Sequence, residues 1–102
     1  MPKNTPEGRI QRQIILYLKA KGFVVGKTKT HGVKGYDGYR TDPYTFVGFP
    51  DLTAFTPNLI FIEVKSAKGI QSDNQKSFQV LCEKAGIKYL LARSLDDVIN
   101  AL

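Results

Sequence analysis

Asp51, Glu63 and Lys65 are the residues of this chain whose types and spacing can do chemistry. Gly48-Phe49-Pro50-Asp51 leads into an apolar run, Thr56-Pro57-Asn58 reverses the chain, and Ile62-Glu63-Val64-Lys65 returns. A three-residue hairpin loop at Thr56 to Asn58 sets Phe55 opposite Leu59, Thr53 opposite Phe61 and Asp51 opposite Glu63. Directly opposed residues have Cβ atoms roughly 4.5–5.5 Å apart, so two carboxylates there repel by about 3 kcal/mol at an effective dielectric of about 20. A divalent cation held by both acids is the simplest offset, and such oxygen ligands suit Mg²⁺ or Mn²⁺. Glu63 and Lys65 share a strand face about 7 Å apart, because side chains alternate with period two. An ammonium beside a cation can orient an attacking water or stabilise a transition-state phosphate, which outlines phosphodiester hydrolysis. The competing reading is a surface ion pair on an edge strand. Against it, Leu59, Ile60, Phe61, Ile62 and Val64 are apolar on both faces of the run, as in an interior strand.

Other elements must position these groups. Thr5 as N-cap and Pro6 at the first helical position open a helix that runs to about Lys21 and ends at Gly22. Ile10, Ile14, Tyr17 and Leu18 form its inward stripe, and Glu7 lies on that stripe one turn earlier. Glu7 therefore reads either as a first-turn acid complementing the helix dipole or as a third acid near the cation. Phe23, Val24 and Val25 read as a strand continuing weakly through Lys27, Lys29 and His31. Residues 32–48 combine Gly32, Gly35 and Gly38 with Tyr36, Tyr39, Arg40 and Tyr44, a loop that suits stacking on bases and contact with phosphates, or one whose tyrosines cover the sheet. Beyond the hairpin, a helix spans about Asp73 to Ala85 and stops at Gly86. Ser72 with Gln75 has the form of a capping box, yet Gln75 also begins the inward stripe of Phe78, Cys82 and Ala85. Tyr89 to Ala92 read as a buried strand, and Ser94 caps a last helix with Leu95, Val98, Ile99 and Leu102 inward. The order helix, strand, long loop, strand, strand, helix, strand, helix implies an α/β fold with a mixed sheet.

The 102 residues allow one domain, so any function shares the scaffold. The net charge of +6 favours a polyanionic partner. Its distribution is uneven, with nine Lys or Arg against Glu7 and Asp37 in residues 1–40 and six against seven acids in residues 41–102. Lys27, Lys29, His31, Lys34 and Arg40, with Lys68 beyond the hairpin, are the expected nucleic-acid contacts. His31 has no His or Cys companion that would make a zinc site. A single cysteine, Cys82, excludes an intramolecular disulfide and reads as core. No run approaches the ~20 apolar residues of a membrane span and no signal-peptide pattern opens the sequence, so a cytoplasmic location is expected.

Taken together, Glu7 in Glu7-Gly8-Arg9-Ile10-Gln11-Arg12, Gly48-Phe49-Pro50-Asp51, Ile62-Glu63-Val64-Lys65, and Gln75 ahead of Phe78 and Lys84-Ala85-Gly86 resemble the PD-(D/E)XK nuclease superfamily. Within it the chain resembles the small stand-alone VRR-NUC domains of phage and bacterial origin, over nearly its whole length. The valine-arginine-arginine signature behind the family name is not evident in residues 32–48, where Arg40 is the one arginine. The resemblance implies a restriction-endonuclease-like three-layer fold, a central mixed sheet flanked by helices, in a single domain over 1–102. It implies a metal-dependent endonuclease acting on DNA, with some members acting on branched forms such as Holliday junctions or flaps. By position, Asp51 and Glu63 would ligate Mg²⁺ or Mn²⁺, the Val64 carbonyl would add a ligand, and Glu7 would bind directly or through water. Lys65 would orient water or stabilise the phosphate, and Gln75 would steady Lys65 or a water. A two-fold junction needs two sites, so a homodimer is expected. The alternative is a non-catalytic nucleic-acid-binding module on a degenerate nuclease scaffold, which accounts for the charge but not for the joint presence of Asp51, Glu63 and Lys65.

Overall fold

The computed structural model describes residues 5–28 and 46–102. Helix α1 (Pro6–Ala20) starts where the sequence places it, with Thr5 Oγ1 accepting the Gly8 N–H at 2.9 Å and Pro6 in the first turn. Strands β1 (Val24–Lys27), β2 (Leu52–Phe55) and β3 (Leu59–Val64) follow, then helix α2 (Asp73–Lys84), strand β4 (Lys88–Ala92) and helix α3 (Leu95–Ala101). The sheet runs β1-β2-β3-β4, antiparallel across the first three strands and parallel between β3 and β4, which α2 connects.

The β2–β3 turn explains the register. Asn58 N–H donates to Thr56 Oγ1 at 3.1 Å, and Thr56 N–H donates to the Asn58 carbonyl at 2.9 Å. This local closure fixes Phe55 opposite Leu59 and Thr53 opposite Phe61. Continued past the end of β2, the same register sets Asp51 against Glu63.

Alternation along the strands divides the core between two faces. Toward α1 and α3 lie Leu52, Ala54, Ile60, Ile62 and Val64, packed with Ile14, Leu18 and Val98. Toward α2 lie Phe61, Phe78 and Cys82, with Phe49, Leu59, Ile87 and Tyr89 packed around them. The result is a helix–sheet–helix sandwich in which β3 is interior and buried from Ile60 to Val64.

The first strand covers Val24–Lys27, and its expected continuation through Lys29 and His31 lies outside the described residues. Two expectations change. In α3 only Val98 is fully buried, while Ile99 and Leu102 stay exposed, because a helix of two turns presents one narrow stripe. Ala85 is the C-cap of α2 and is exposed, so the inward stripe stops at Cys82.

Candidate active site

Glu63 is 1% exposed near the end of β3, on the face toward α2. A carboxylate this deeply shielded loses hydration worth several kcal/mol unless the protein supplies partners. Two are supplied to the same oxygen. Gln75 Nε2 donates to Glu63 Oε2 at 2.7 Å, and Lys65 Nζ stands 3.6 Å from it. Gln75 can do this because the capping box has fixed its side chain: its Oε1 accepts the Ser72 N–H at 2.8 Å, and the Ser72 hydroxyl accepts the Gln75 N–H at 3.1 Å. The capping role and the carboxylate contact are thus one arrangement, with the amide oxygen serving the helix and the amide nitrogen serving Glu63.

Asp51 sits two residues before Thr53 on the same sheet face as Glu63. Its Oδ2 accepts the Val64 N–H at 2.8 Å, which bridges the entry to β2 and the end of β3. Val64 itself is fully buried toward the opposite face. The approach to Asp51 is pinned from two sides. Thr28 Oγ1 donates to the Pro50 carbonyl at 3.0 Å, and Thr28 N–H donates to the Asp51 carbonyl at 2.9 Å. On the other side Gly48, at φ +72°, passes so close to α2 that an added Cβ would lie 2.2 Å from the Asn74 carbonyl oxygen and 2.7 Å from the Gln75 nitrogen. Only glycine fits both that backbone conformation and that approach. The segment that delivers Asp51 is therefore packed directly on the turn that delivers Gln75.

Glu7 reaches the same end of the sheet from α1, accepting the Ser66 N–H on Oε2 at 3.3 Å. It contacts the turn that follows Lys65. Among the described residues no three His, Cys, Asp or Glu side chains converge as a metal cage, so Glu7 does not close a three-acid cluster with Asp51 and Glu63. Two carboxylates still fit a small hard cation, since Mg²⁺ is commonly held by one or two of them, with water and substrate phosphate completing the shell. Each acid is also oriented by an N–H, Val64 for Asp51 and Gln75 for Glu63. The donor set is all oxygen, which favours Mg²⁺ or Mn²⁺ over zinc.

The repulsion between the two acids is met within the protein by the Lys65 ammonium, the Gln75 amide and the Val64 N–H. Their joint field reaches Tyr89 on β4. Burial first of all, then the negative charges of Glu63, Cys82 and Asp51, push its phenol up to about 12, against the lowering effect of a hydrogen bond from Gln71. That bond runs from Gln71 Nε2 to the Tyr89 oxygen at 3.2 Å. Sequence reading missed Tyr89 as a neighbour of the acids; the signal lies in the parallel pairing, where Phe61 stands beside Tyr89 and Glu63 beside Leu91. It also missed Arg93, whose guanidinium reaches backbone carbonyls alone, a contact with no residue-type signature.

Of the expected nucleic-acid contacts, Lys27 and Lys68 are exposed. Lys27 shares the alternation of Val25 and pairs with Leu52, which turns it toward the α1 face and away from the acids. Lys68 lies in the connection just after Lys65. Lys29, His31, Lys34 and Arg40 lie outside the described residues. No helix among the described residues is long and apolar enough to cross a membrane.

No protein-family model matches the chain, and no curated protein matches it. A solved structure described as a VRR_NUC domain is similar at 26% identity with a TM-score of 0.71, covering 94% of this chain and 92% of its own. That match suggests a nuclease domain. Coinciding over nearly the whole chain with a four-stranded mixed sheet between helices, it supports a VRR-NUC domain.

Proposed function

We propose that this chain is a Mg²⁺-dependent, structure-selective DNA endonuclease, Mn²⁺ able to substitute, that hydrolyses phosphodiester bonds in branched DNA such as Holliday junctions. The observation that supports the reading is that Asp51 Oδ2 accepts the N–H of Val64, the residue next to Glu63, while the Lys65 ammonium stands 3.6 Å from Glu63 Oε2. Asp51 and Glu63 would hold the cation, with the Val64 carbonyl as the further ligand the resemblance implies and Glu7, which stands outside a three-acid cluster, acting through water. Bound there, the cation supplies Lewis acidity toward a phosphate oxygen and lowers the pKa of water. Gln75 keeps the Glu63 carboxylate oriented, and Val64 N–H does the same for Asp51. Lys65, 14% exposed at the rim, faces both the acids and solvent, where it can orient the attacking water or meet the charge that accumulates on the phosphate. The ester bond to the sugar oxygen then breaks as the new P–O bond forms. The basic excess of residues 1–40 supplies phosphate affinity that carries no sequence information.

A C2 homodimer would bring two such sites to a two-fold branched substrate, in the cytoplasm of a bacterial or phage-infected cell. The test is a nicking assay on labelled duplex, flap, fork and four-way junction DNA under one Mg²⁺ condition, repeated with chelator, with gel filtration alongside. Chelator-sensitive cleavage concentrated on a branched form is expected. DNA binding with no cleavage under Mg²⁺ or Mn²⁺ would establish a non-catalytic module instead.

A further inference from the structure

The turn that follows Lys65 is held from outside by one side chain. Arg93, the residue after β4, sends Nη1 to three backbone carbonyls of that turn: Ser66 at 2.7 Å, Gly69 at 2.8 Å and Ala67 at 3.3 Å. Within the turn, Gly69 N–H donates to the Ser66 carbonyl at 3.1 Å. The same few residues touch the site on their inner side. Ser66 N–H donates to Glu7, and an added Cβ at Gly69 would lie 3.3 Å from the Lys65 side chain and 3.4 Å from Glu7 Oε2. Arg93 is in turn anchored by its backbone, whose N–H donates to Asp97 Oδ2 at 2.8 Å in the first turn of α3.

We propose that Arg93 is a positioning residue for the site: by gathering the carbonyls of Ser66, Ala67 and Gly69 it sets where the turn presents the Ser66 N–H to Glu7 and bounds the space of the Lys65 side chain. The proposal rests on the nuclease reading for its catalytic consequence, though not for its structural one. A guanidinium suits this task because it is always charged and weakly hydrated, and because it directs its N–H groups in one rigid plane. Nη1 shares its two N–H groups among three carbonyls; an ammonium has donors enough, but its stem is one atom shorter, so it stops short of the turn and leaves those carbonyls to water. Such a loss moves Lys65 and Glu7 by fractions of an ångström, a displacement to which a site dependent on positioning is sensitive. It also gives α3 a part in the site that its small share of the core does not suggest.

The experiment compares the full chain with Arg93→Lys and Arg93→Gln, reading kcat and KM on whichever DNA the wild type cleaves, melting temperature, and amide hydrogen exchange of Ser66 and Gly69. The expected result is a kcat lowered about tenfold or more, KM within about twofold and melting nearly unchanged for Arg93→Lys, with exchange at both amides accelerated. Arg93→Gln should give the larger loss of kcat. Wild-type kcat and unaltered Ser66 and Gly69 exchange in a folded Arg93→Lys would overturn the proposal. So would a decline in kcat that tracks loss of folded protein in both variants. Amide exchange needs no cleavage, so a wild-type protein that never cuts DNA would defeat the nuclease reading while the effect of Arg93 on the turn is still read.

Discussion

On the sheet face toward α1 and α3, Ile14, Leu18, Leu52, Ile62, Val64 and Val98 are apolar and 0% exposed. On the face toward α2 the aromatic cluster of Phe49, Phe61 and Phe78 gives way, at one end of the sheet, to Asp51, Glu63, Lys65 and Gln75. Both groups of side chains are shielded from water, but for different reasons. The first removes apolar surface from water, worth about 1.5–3 kcal/mol for each fully buried large side chain. The second holds ionised groups out of water, which rarely adds stability even when every partner is in place. A four-stranded sheet can carry that load because the opposite face supplies the cohesion.

Adjacent residues of β3 separate the two contributions. Glu63→Gln and Asp51→Ala should each lower cleavage by more than about 100-fold, since even groups one shell beyond a metal act at 10- to 100-fold. DNA binding should survive in both, because phosphate affinity comes from Lys and Arg elsewhere. The unfolding free energy of Glu63→Gln should change by no more than about 1.5 kcal/mol, the net worth of a typical hydrogen bond. Ile62→Ala, one residue away and facing the other side, should do the reverse, costing about 2–5 kcal/mol in denaturant unfolding while the folded fraction keeps its kcat. If Glu63→Gln unfolds the chain, or either carboxylate variant still cuts, the division between the faces fails.

Gly48 lies where the two ends of the site meet, and Gly48→Ala should produce a smaller, mixed effect. Positive φ alone costs alanine about 1–2 kcal/mol, and its Cβ would meet the Asn74 carbonyl carbon at 2.3 Å. Relief requires α2 or the 46–50 segment to move, which lengthens the 2.7 Å bond from Gln75 to Glu63. Turnover and stability should therefore drop together, checked by kcat and chemical denaturation of one preparation. A loss in either quantity alone would show that the close approach does not couple Asp51 to Gln75.

Legibility from sequence followed the distance over which each feature is determined. The α1 start at Thr5 and Pro6, the capping box at Ser72 and the turn at Thr56 to Asn58 depend on residues within four positions, and each was readable. Register then carried Asp51 to the face of Glu63 without further information, because the side-chain period is fixed at two. Gln75 was visible as the first member of an inward stripe, although its amide spans 12 residues to Glu63. What local pattern could not supply was the register of the parallel β3–β4 pair that the connecting helix implies. It brings Tyr89 into the field of the acids and Arg93 to a turn 24–27 residues earlier. Glu7 pointed inward as its stripe implied, but contact with Ser66 across 59 residues depends on how α1 crosses the sheet. The exposed Ile99 and Leu102 mark the opposite failure, in which apolar character alone does not determine depth.

The smallest effect reads the charged face from a distance. The Tyr89 phenol is raised from 10.0 to about 12, first by burial and then by Glu63, Cys82 and Asp51, while the Gln71 hydrogen bond lowers it. Below pH 10 both folded and unfolded chains keep the proton, and the full stabilisation is present. As pH rises through 10 toward 12 the unfolded chain loses its proton first, so stability falls by at most about 1.4 kcal/mol per pH unit for this one group. Tyr89→Phe should therefore show a shallower decline than wild type over that window, with the lysines common to both. In phenolate absorbance titrations, the transition near pH 12 should be lost in Tyr89→Phe. In Glu63→Gln it should titrate at lower pH yet stay above 10, because burial outweighs the charges. A Tyr89 that titrates at the same pH with and without the Glu63 charge would place that carboxylate's field away from β4, and the second face would then hold its acids in separate surroundings.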